Sequence, residues 1–427
     1  MSDALPPDAP PPPPPTAPSL LEPAAEAWHP VRLVVTDDLR RSRLTVFFRL
    51  LLAIPHYFWI SLIGVVFALL VFVNWFILLF VARTPQGIHD FLAGYIRYTT
   101  QLEAYVLLAA NPYPPFWPLG EAAYPVTLEI DPPAQQNRWK TFFRLFLAIP
   151  AFLVSGALLA GGARFGGYGF GLAFTVAFLL WWIGLVLGRS PRGLRDLIAF
   201  CVGYSAQLAA YLFLVTDRYP YSGPNRFVPP RDDEEPHPVR VDVTDDLRRS
   251  RVLTFFRLPI SIPHIVWFVL WTVPAAVAAV LNWLCALVTG QAPRPFHRFL
   301  SRYVRYSTHL WAFLFLIGNP FPGFTGKPGT YPIEVELPPS EPQRRLVTLF
   351  RGLLAIPAVF ILTGLSGALS IVGILGWFVA LFLGRMPDGL RNLGAYVLRY
   401  GAQTGAYFYL LTERYPDAGP RPDATSP

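Results

Sequence analysis

The sequence predicts an all-α integral membrane protein built from four tandem repeats, each a short strand followed by two to three apolar helices. Three observations carry this. The runs 50–82, 258–291 and 352–384 contain no Asp, Glu, Lys or Arg. Short motifs recur four times in the same order. The 427 residues are 53% hydrophobic and only 15% charged, with a mean hydropathy of +0.40, whereas an average soluble chain carries about 25% charge. That balance excludes a disordered chain, a coiled coil and a collagen-like repeat, and it argues against an ordinary soluble enzyme.

Residues 1–29 form a Pro/Ala-rich tail with an unbroken run from Pro10 to Pro15. Such a segment cannot bury a core and reads as a disordered or polyproline II spacer, or as a ligand for a proline-binding protein partner. No basic stretch followed by an apolar core opens the chain, so no cleavable signal peptide is expected.

The repeats follow. PVRLVVTDDLRRSRLTVFFR at 30–49 returns as PVRVDVTDDLRRSRVLTFFR at 238–257, with 15 of 20 positions identical. This divides the chain into membrane halves 30–222 and 238–420, joined by the polar linker 223–237 and followed by the tail 421–427. Each half is double in turn, because Arg49-x5-Pro55 recurs as Arg144-x5-Pro150, Arg257-x5-Pro263 and Arg351-x5-Pro357. The units are 30–118, 125–222, 238–323 and 332–420.

Each unit opens on alternating β-branched residues (VRLVVTD, VTLEID, VRVDVTD, IEVELP), the period of a strand. Strands this short need partners, and the four could meet in one small cytoplasmic β-sheet. The apolar run is next. Its thirty-odd residues exceed the 20 or so that cross a bilayer, and Gly64, the insertion at 161–171, Pro274 and Gly364/Gly367 lie mid-run. The reading is a first helix carrying R-x5-IP and a second ending at an arginine-proline turn (RTPQG at 83–87, RSPRG at 189–193, RMPDG at 385–389), for eight to twelve crossings in all. Whether the first helix spans or lies at the interface stays open. The last helix carries Tyr98/Gln101/Tyr105, Tyr204/Gln207/Tyr211, Tyr306/His309/Phe313 and Tyr400/Gln403/Tyr407, spaced to share one face.

Charge suggests an orientation. The net charge is +8, and only Lys140 and Lys327 among 35 basic residues are lysines, a bias that fits a high-GC bacterial source. If every unit crosses an even number of times, unit starts, linkers and termini share one face and collect 22 Lys and Arg, against eight at the turns. The positive-inside rule then predicts the cell membrane with both termini cytoplasmic. The basic residues flank apolar runs, so the expected partners are the lipid bilayer and anionic headgroups, with no nucleic acid.

Two readings of the candidate residues stand side by side. Arg49, Arg144, Arg257 and Arg351 could snorkel to headgroups as anchors or bind an anion or an internal partner. The faces bearing Tyr98, Gln101, Tyr204, Gln207, Tyr306, His309, Tyr400 and Gln403, with Arg97, Glu103, Arg305 and Arg399 on the same helices, could pack helices or line a polar pathway. His56 and His264 follow the repeated proline, but two histidines without a neighbouring carboxylate or cysteine make no metal motif. Cys201 and Cys285 are isolated, and Asp37-Asp38 and Asp245-Asp246 read as helix N-caps. No GxSxG, Walker A, HExxH or CxxC motif occurs, so no catalysis, metal or cofactor is expected.

The segments Arg49…Ile54-Pro55-His56, Gly188-Arg189-Ser190-Pro191-Arg192-Gly193-Leu194 and Thr216-Asp217-Arg218-Tyr219-Pro220 resemble a bacterial membrane-domain family of unknown function. Its pattern is R-x5-IPH, then GR-x-P-x-G-L, then TDRYP. The resemblance spans nearly all of 30–420 and implies a multi-pass membrane protein without transferring an activity. The first and third units depart from it, closing on NPYP and NPFP. The functional expectation is a structural or interaction scaffold, with a transporter or channel as the alternative.

Overall fold

A computed structural model describes residues 29–117, 123–160, 171–227 and 235–421. Nearly all of the Pro-rich tail, the insertion at 161–170, the middle of the linker and the tail beyond Arg421 lie outside the described residues. The first unit holds β1 (Val31–Val35), α1 (Arg43–Val81) and α2 (Gln86–Val106). The second holds β2 (Val126–Ile130), α3 (Arg138–Phe142), α4 (Arg144–Ser155), a π-helical turn at Gly156–Ala160, α5 (Leu172–Leu187) and α6 (Arg192–Leu212). The third has β3 (Arg240–Val243), α7 (Arg251–Phe255), α8 (Arg257–Thr289) and α9 (Arg294–Leu314). The fourth has β4 (Ile333–Glu336), α10 (Arg345–Leu349), α11 (Arg351–Leu383) and α12 (Asp388–Phe408).

Two expectations about the helices are corrected. Gly64, Pro274, Gly364 and Gly367 do not divide their runs, which continue as single helices α1, α8 and α11. An interior glycine costs about 1 kcal/mol, less than opening a turn and stranding its peptide groups among apolar side chains. Among the described residues, three helices, α1, α8 and α11, are long and apolar enough to cross a membrane, beside the shorter apolar segments Arg144–Leu159 and Leu172–Leu187. The aspartates do not cap either. Ser42 and Ser250 accept the Thr45 and Leu253 amides, while Asp37 and Asp245 take Leu39 N and Leu247 N and pair with Arg41 (2.7 Å) and Arg249 (2.5 Å).

The single four-stranded sheet is also corrected. β1 pairs antiparallel with β2, Val31 opposite Ile130, and β3 with β4, Arg240 opposite Glu336, as two separate two-stranded sheets. The reason lies in an exchange of strands. β1 of the first unit packs on α6 of the second, and β2 on α2 of the first; β3 and β4 pack on α12 and α9 in the same crossed manner. Each sheet is therefore captured by the helices of its own half.

Within a half the two units are tied end to end. Arg41 N donates to Gly188 O (2.8 Å) and Gln136 N to Ala82 O (2.8 Å); the second half repeats this with Arg249 to Gly384 and Gln343 to Gly290. Four tryptophans complete the ties: Trp75 to Thr141 O, Trp181 to Val46 O, Trp283 to Thr348 O and Trp377 to Thr254 O. The start of each unit thus touches the arginine-proline turn of its partner. That conflicts with an even number of crossings in every unit, which would put starts and turns on opposite membrane faces. Between the halves, α11 packs on α4 and α5. The most apolar window of α11 is accordingly 44% buried, against 17% for the outer helices α1 and α8.

Candidate functional site

The four repeated arginines turn inward instead of snorkelling, each only 1–2% exposed. Arg144 Nη1 donates to Tyr211 O (2.5 Å) and Thr216 O (2.9 Å), and its Nη2 to Gln136 Oε1 (2.9 Å). Arg351 repeats this with Tyr407 O (3.1 Å), Thr412 O (3.0 Å) and Gln343 Oε1 (2.5 Å). Arg49 binds Tyr105 O, Ala110 O (2.8 Å) and Asn111 Oδ1 (3.3 Å), and Arg257 binds Phe313 O (2.6 Å) and Gly318 O (3.4 Å). Each guanidinium also lies over the ring of the residue whose carbonyl it binds, at 4.2–4.7 Å.

The acceptors explain the charge. A helix ends with unpaired carbonyls and a partial negative charge, and the ends of α2, α6, α9 and α12 are buried. Two residues beyond each stands a leucine in the left-handed region: Leu108, Leu214, Leu316 and Leu410, φ 61 to 67°. Glycine is usual there, and a leucine costs about 1 kcal/mol or more. The arginine clamps this turn from both sides. Arg41 and Arg249 add bonds to Leu108 O (3.0 Å) and Leu316 O (2.9 Å), and Gln136 binds Leu214 O (2.8 Å).

The other motif positions diverge from the single face that their spacing suggested. Tyr98 and Tyr306 bond His56 Nδ1 (2.6 Å) and His264 Nδ1 (2.9 Å), and Tyr204 donates to Ala151 O (3.3 Å). Tyr400 is fully buried. Each histidine stacks on a closing-loop ring, His56 on Phe116 (4.1 Å) and His264 on Phe324 (4.0 Å). This accounts for histidine in the two units that lack TDRYP or TERYP. The amides face the sheet: Gln101 Nε2 to Val126 O (3.2 Å), Gln207 Nε2 to Val31 O (3.1 Å) and Gln403 Nε2 to Val239 O (3.1 Å). Gln207 and Gln403 also accept from Tyr221 N and Asp417 N (3.0 Å each). His309 sits against the Tyr331 ring and the Ile333 backbone, and burial lowers its pKa to about 4. Arg97 and Arg305 bind Leu128 O and Val335 O from the same helix faces.

Sequence reading missed Arg41, Arg249, Gln136 and Gln343 as partners of the clamp, and the four tryptophans. Trp75 and Trp283 stand in a repeated Asn-Trp pair, Asn74-Trp75 and Asn282-Trp283, whose spacing alone gives no role. It also passed over a cleft of about 660 Å³ where the halves meet. Leu147, Val154, Leu375 and Phe378 form its apolar wall, with Tyr219, Tyr221 and Asp388 at the polar end. Arg226 lies 4.1 Å from the Tyr221 ring and 3.9 Å from Asp388. Among the described residues no three His, Cys, Asp or Glu side chains gather as a metal site would require.

The family model described as Domain of unknown function (DUF4389) matches four times, at residues 43–118, 138–222, 251–325 and 345–418. These segments cover well over half of the chain, and the chain belongs to that family. Each match starts at the helix after the strand. No curated protein and no solved structure matches the chain.

Proposed function

We propose that this four-copy member of the DUF4389 family is a membrane-embedded scaffold without catalysis, resident in the cell membrane with both termini cytoplasmic. One observation carries the reading: the repeated arginines are spent on carbonyls at and just beyond helix ends, and Gln101, Gln207 and Gln403 on carbonyls of the strands or of the residue just before one. Groups so engaged hold shape and leave little to line a pathway. The bilayer is the partner of the exposed apolar faces of α1 and α8. Exposed arginines at helix ends, such as Arg43 and Arg138, serve anionic headgroups. The Pro-rich tail supplies a contact for a protein partner, and no nucleic acid is involved.

The cleft between the halves favours a second reading, transport, since transporters often bind substrate where repeats meet. Two measurements test the pair. Alkaline carbonate washing leaves the protein in the membrane pellet if it is embedded; release into the supernatant refutes embedding. Proteoliposomes loaded with an ion-sensitive dye and a mixed pool of small organic solutes keep their contents if it is a scaffold. Flux that disappears in Asp388→Asn, at the polar end of the cleft, overturns the scaffold reading.

A further inference from the structure

We infer that the protein lies flat in one leaflet, with α1, α8 and α11 parallel to the membrane plane, both sheets on the aqueous side and no helix crossing. This rests on the membrane embedding proposed above and concerns its geometry.

Length is the first argument. The charge-free run of α1, residues 50–82, is about 50 Å of helix at 1.5 Å per residue. A hydrocarbon core is about 30 Å thick. Fitting one into the other needs a tilt of about 53°, beyond the roughly 0–40° found for spanning helices. The runs of α8 and α11 have nearly the same length, so the misfit occurs three times. A helix in the plane has no such limit. The outward stripe of α1 is apolar along its whole length: Leu44, Leu51, Phe58, Val65, Phe72 and Phe80 are all 60–77% exposed.

The second argument is the position of the sheet. Arg97 holds β2 from the middle of α2, Gln101 and Gln207 hold β2 and β1 from the last third of α2 and α6, and Val31 and Leu128 cluster with Phe67, Leu92 and Ile96. The β1–β2 sheet therefore lies alongside the helices, not beyond their ends. Its outer face carries Arg32, which pairs with Glu129 (3.2 Å) and Asp131 (3.6 Å), all with side chains 43–51% exposed. If the helices ran along the membrane normal, these charges would face lipid, where ionised groups are strongly disfavoured. With the helices flat, they face water.

The third argument is charge topology. Unit starts and partner turns are hydrogen-bonded at both ends of α1. In a spanning arrangement successive units would start on opposite faces and divide the arginines between them, against the positive-inside bias. Flat insertion places starts, turns and termini on one face.

The test uses the full chain in a Cys201→Ala/Cys285→Ala background, with single cysteines at Asp38, Gln86 and Thr127 for an impermeant maleimide. Cysteines at Leu51, Phe58, Val65 and Phe72 carry a fluorophore read by lipids brominated at several depths. One-leaflet insertion gives labelling of the first three from the same side, in spheroplasts or in inverted vesicles but not both. It also gives quenching of the other four at depths within about 5 Å of one another, compared with about 30 Å for 21 residues of helix along the normal. Labelling of Asp38 and Gln86 from opposite sides, or depths that run through the bilayer centre, overturns the inference and leaves embedding intact. Absence of quenching at all four overturns embedding itself.

Discussion

Replacing Arg144 with methionine tests the clamp most directly. The guanidinium makes two bonds to the carbonyls that close α6, a third to Gln136, and stacks on Tyr211 at 4.7 Å. A charge-assisted bond contributes about 1.5–3 kcal/mol. The total falls below their sum, because the variant no longer buries a charge and methionine refills part of the space. Each of the three buried neutral acceptors left without its donor costs about 1–3 kcal/mol, so a net loss of about 3–5 kcal/mol is expected. For a half of this size that corresponds to a melting temperature lower by about 10 °C, read by thermal unfolding in detergent micelles. Arg144→Lys keeps the charge but cannot reach the two helix-end carbonyls and Gln136 together, so about half the loss is expected. Arg43→Met removes an exposed arginine with one bond to Val186 O (3.1 Å) and should cost less than about 1 kcal/mol. If Arg144→Met melts within about 2 °C of the parent, or no lower than Arg43→Met, the clamp is refuted. Unchanged melting together with weakened binding to anionic vesicles would restore the headgroup reading.

Trp181→Phe removes the indole bond to Val46 O (3.1 Å) and should cost about 1 kcal/mol, with faster hydrogen exchange confined to the first turns of α1; uniform exchange along the chain would contradict the end-to-end tie. Gly394→Ala sets a Cβ 2.0 Å from Ile317 Cδ1, and the forced shift of that buried side chain should cost about 1–3 kcal/mol; a variant as stable as the parent would show that this seam yields freely. Burial holds His29, His237 and His309 down to about 4. The folded state then binds fewer protons than the unfolded one, so stability is full above about pH 6.5 and falls as pH drops towards 4, by up to roughly 3 kcal/mol per histidine; a flat acid limb in an equilibrium melt series would refute this. Glu103 acts in the opposite sense: desolvation lifts its carboxyl to about 7 against a Ser205 hydrogen bond that lowers it. Stability should therefore decline by roughly 1–3 kcal/mol as pH rises from about 4.5 to above 7, and Glu103→Gln should abolish that decline.

Much of the architecture was legible in one dimension. Four units, their order and the strand opening each one follow from Arg-x5-Pro, the turns and the alternating residues, because local periodicity reports local structure. The helix count was not legible. Gly64 and Pro274 look like breaks, yet stand inside continuous helices. The cost of a break depends on what surrounds the exposed peptide groups, which no local pattern states. At the candidate site the residues were visible and their roles were not. Tyr98, Gln101 and Tyr105 share a helical stripe, but that stripe is wide enough for the tyrosines to meet α1 while the amide meets β2.

The sequence by itself determined the membrane-like composition, the fourfold repeat and the identity of the buried arginines as special, since a charge repeated in register within apolar runs needs a reason. Only the tertiary structure decided what that reason is. Arg49, Arg257 and Arg351 meet carbonyls 56 and 61 residues further on, and Arg144 meets them 67 and 72 residues on, where the second unit carries its insertion. Likewise, the exchange of β1 and β2 between units depends on contacts such as Gln207 to Val31, 176 residues apart. A helix end binds whichever donor the fold delivers to it, and that delivery is a property of three-dimensional packing rather than of spacing along the chain.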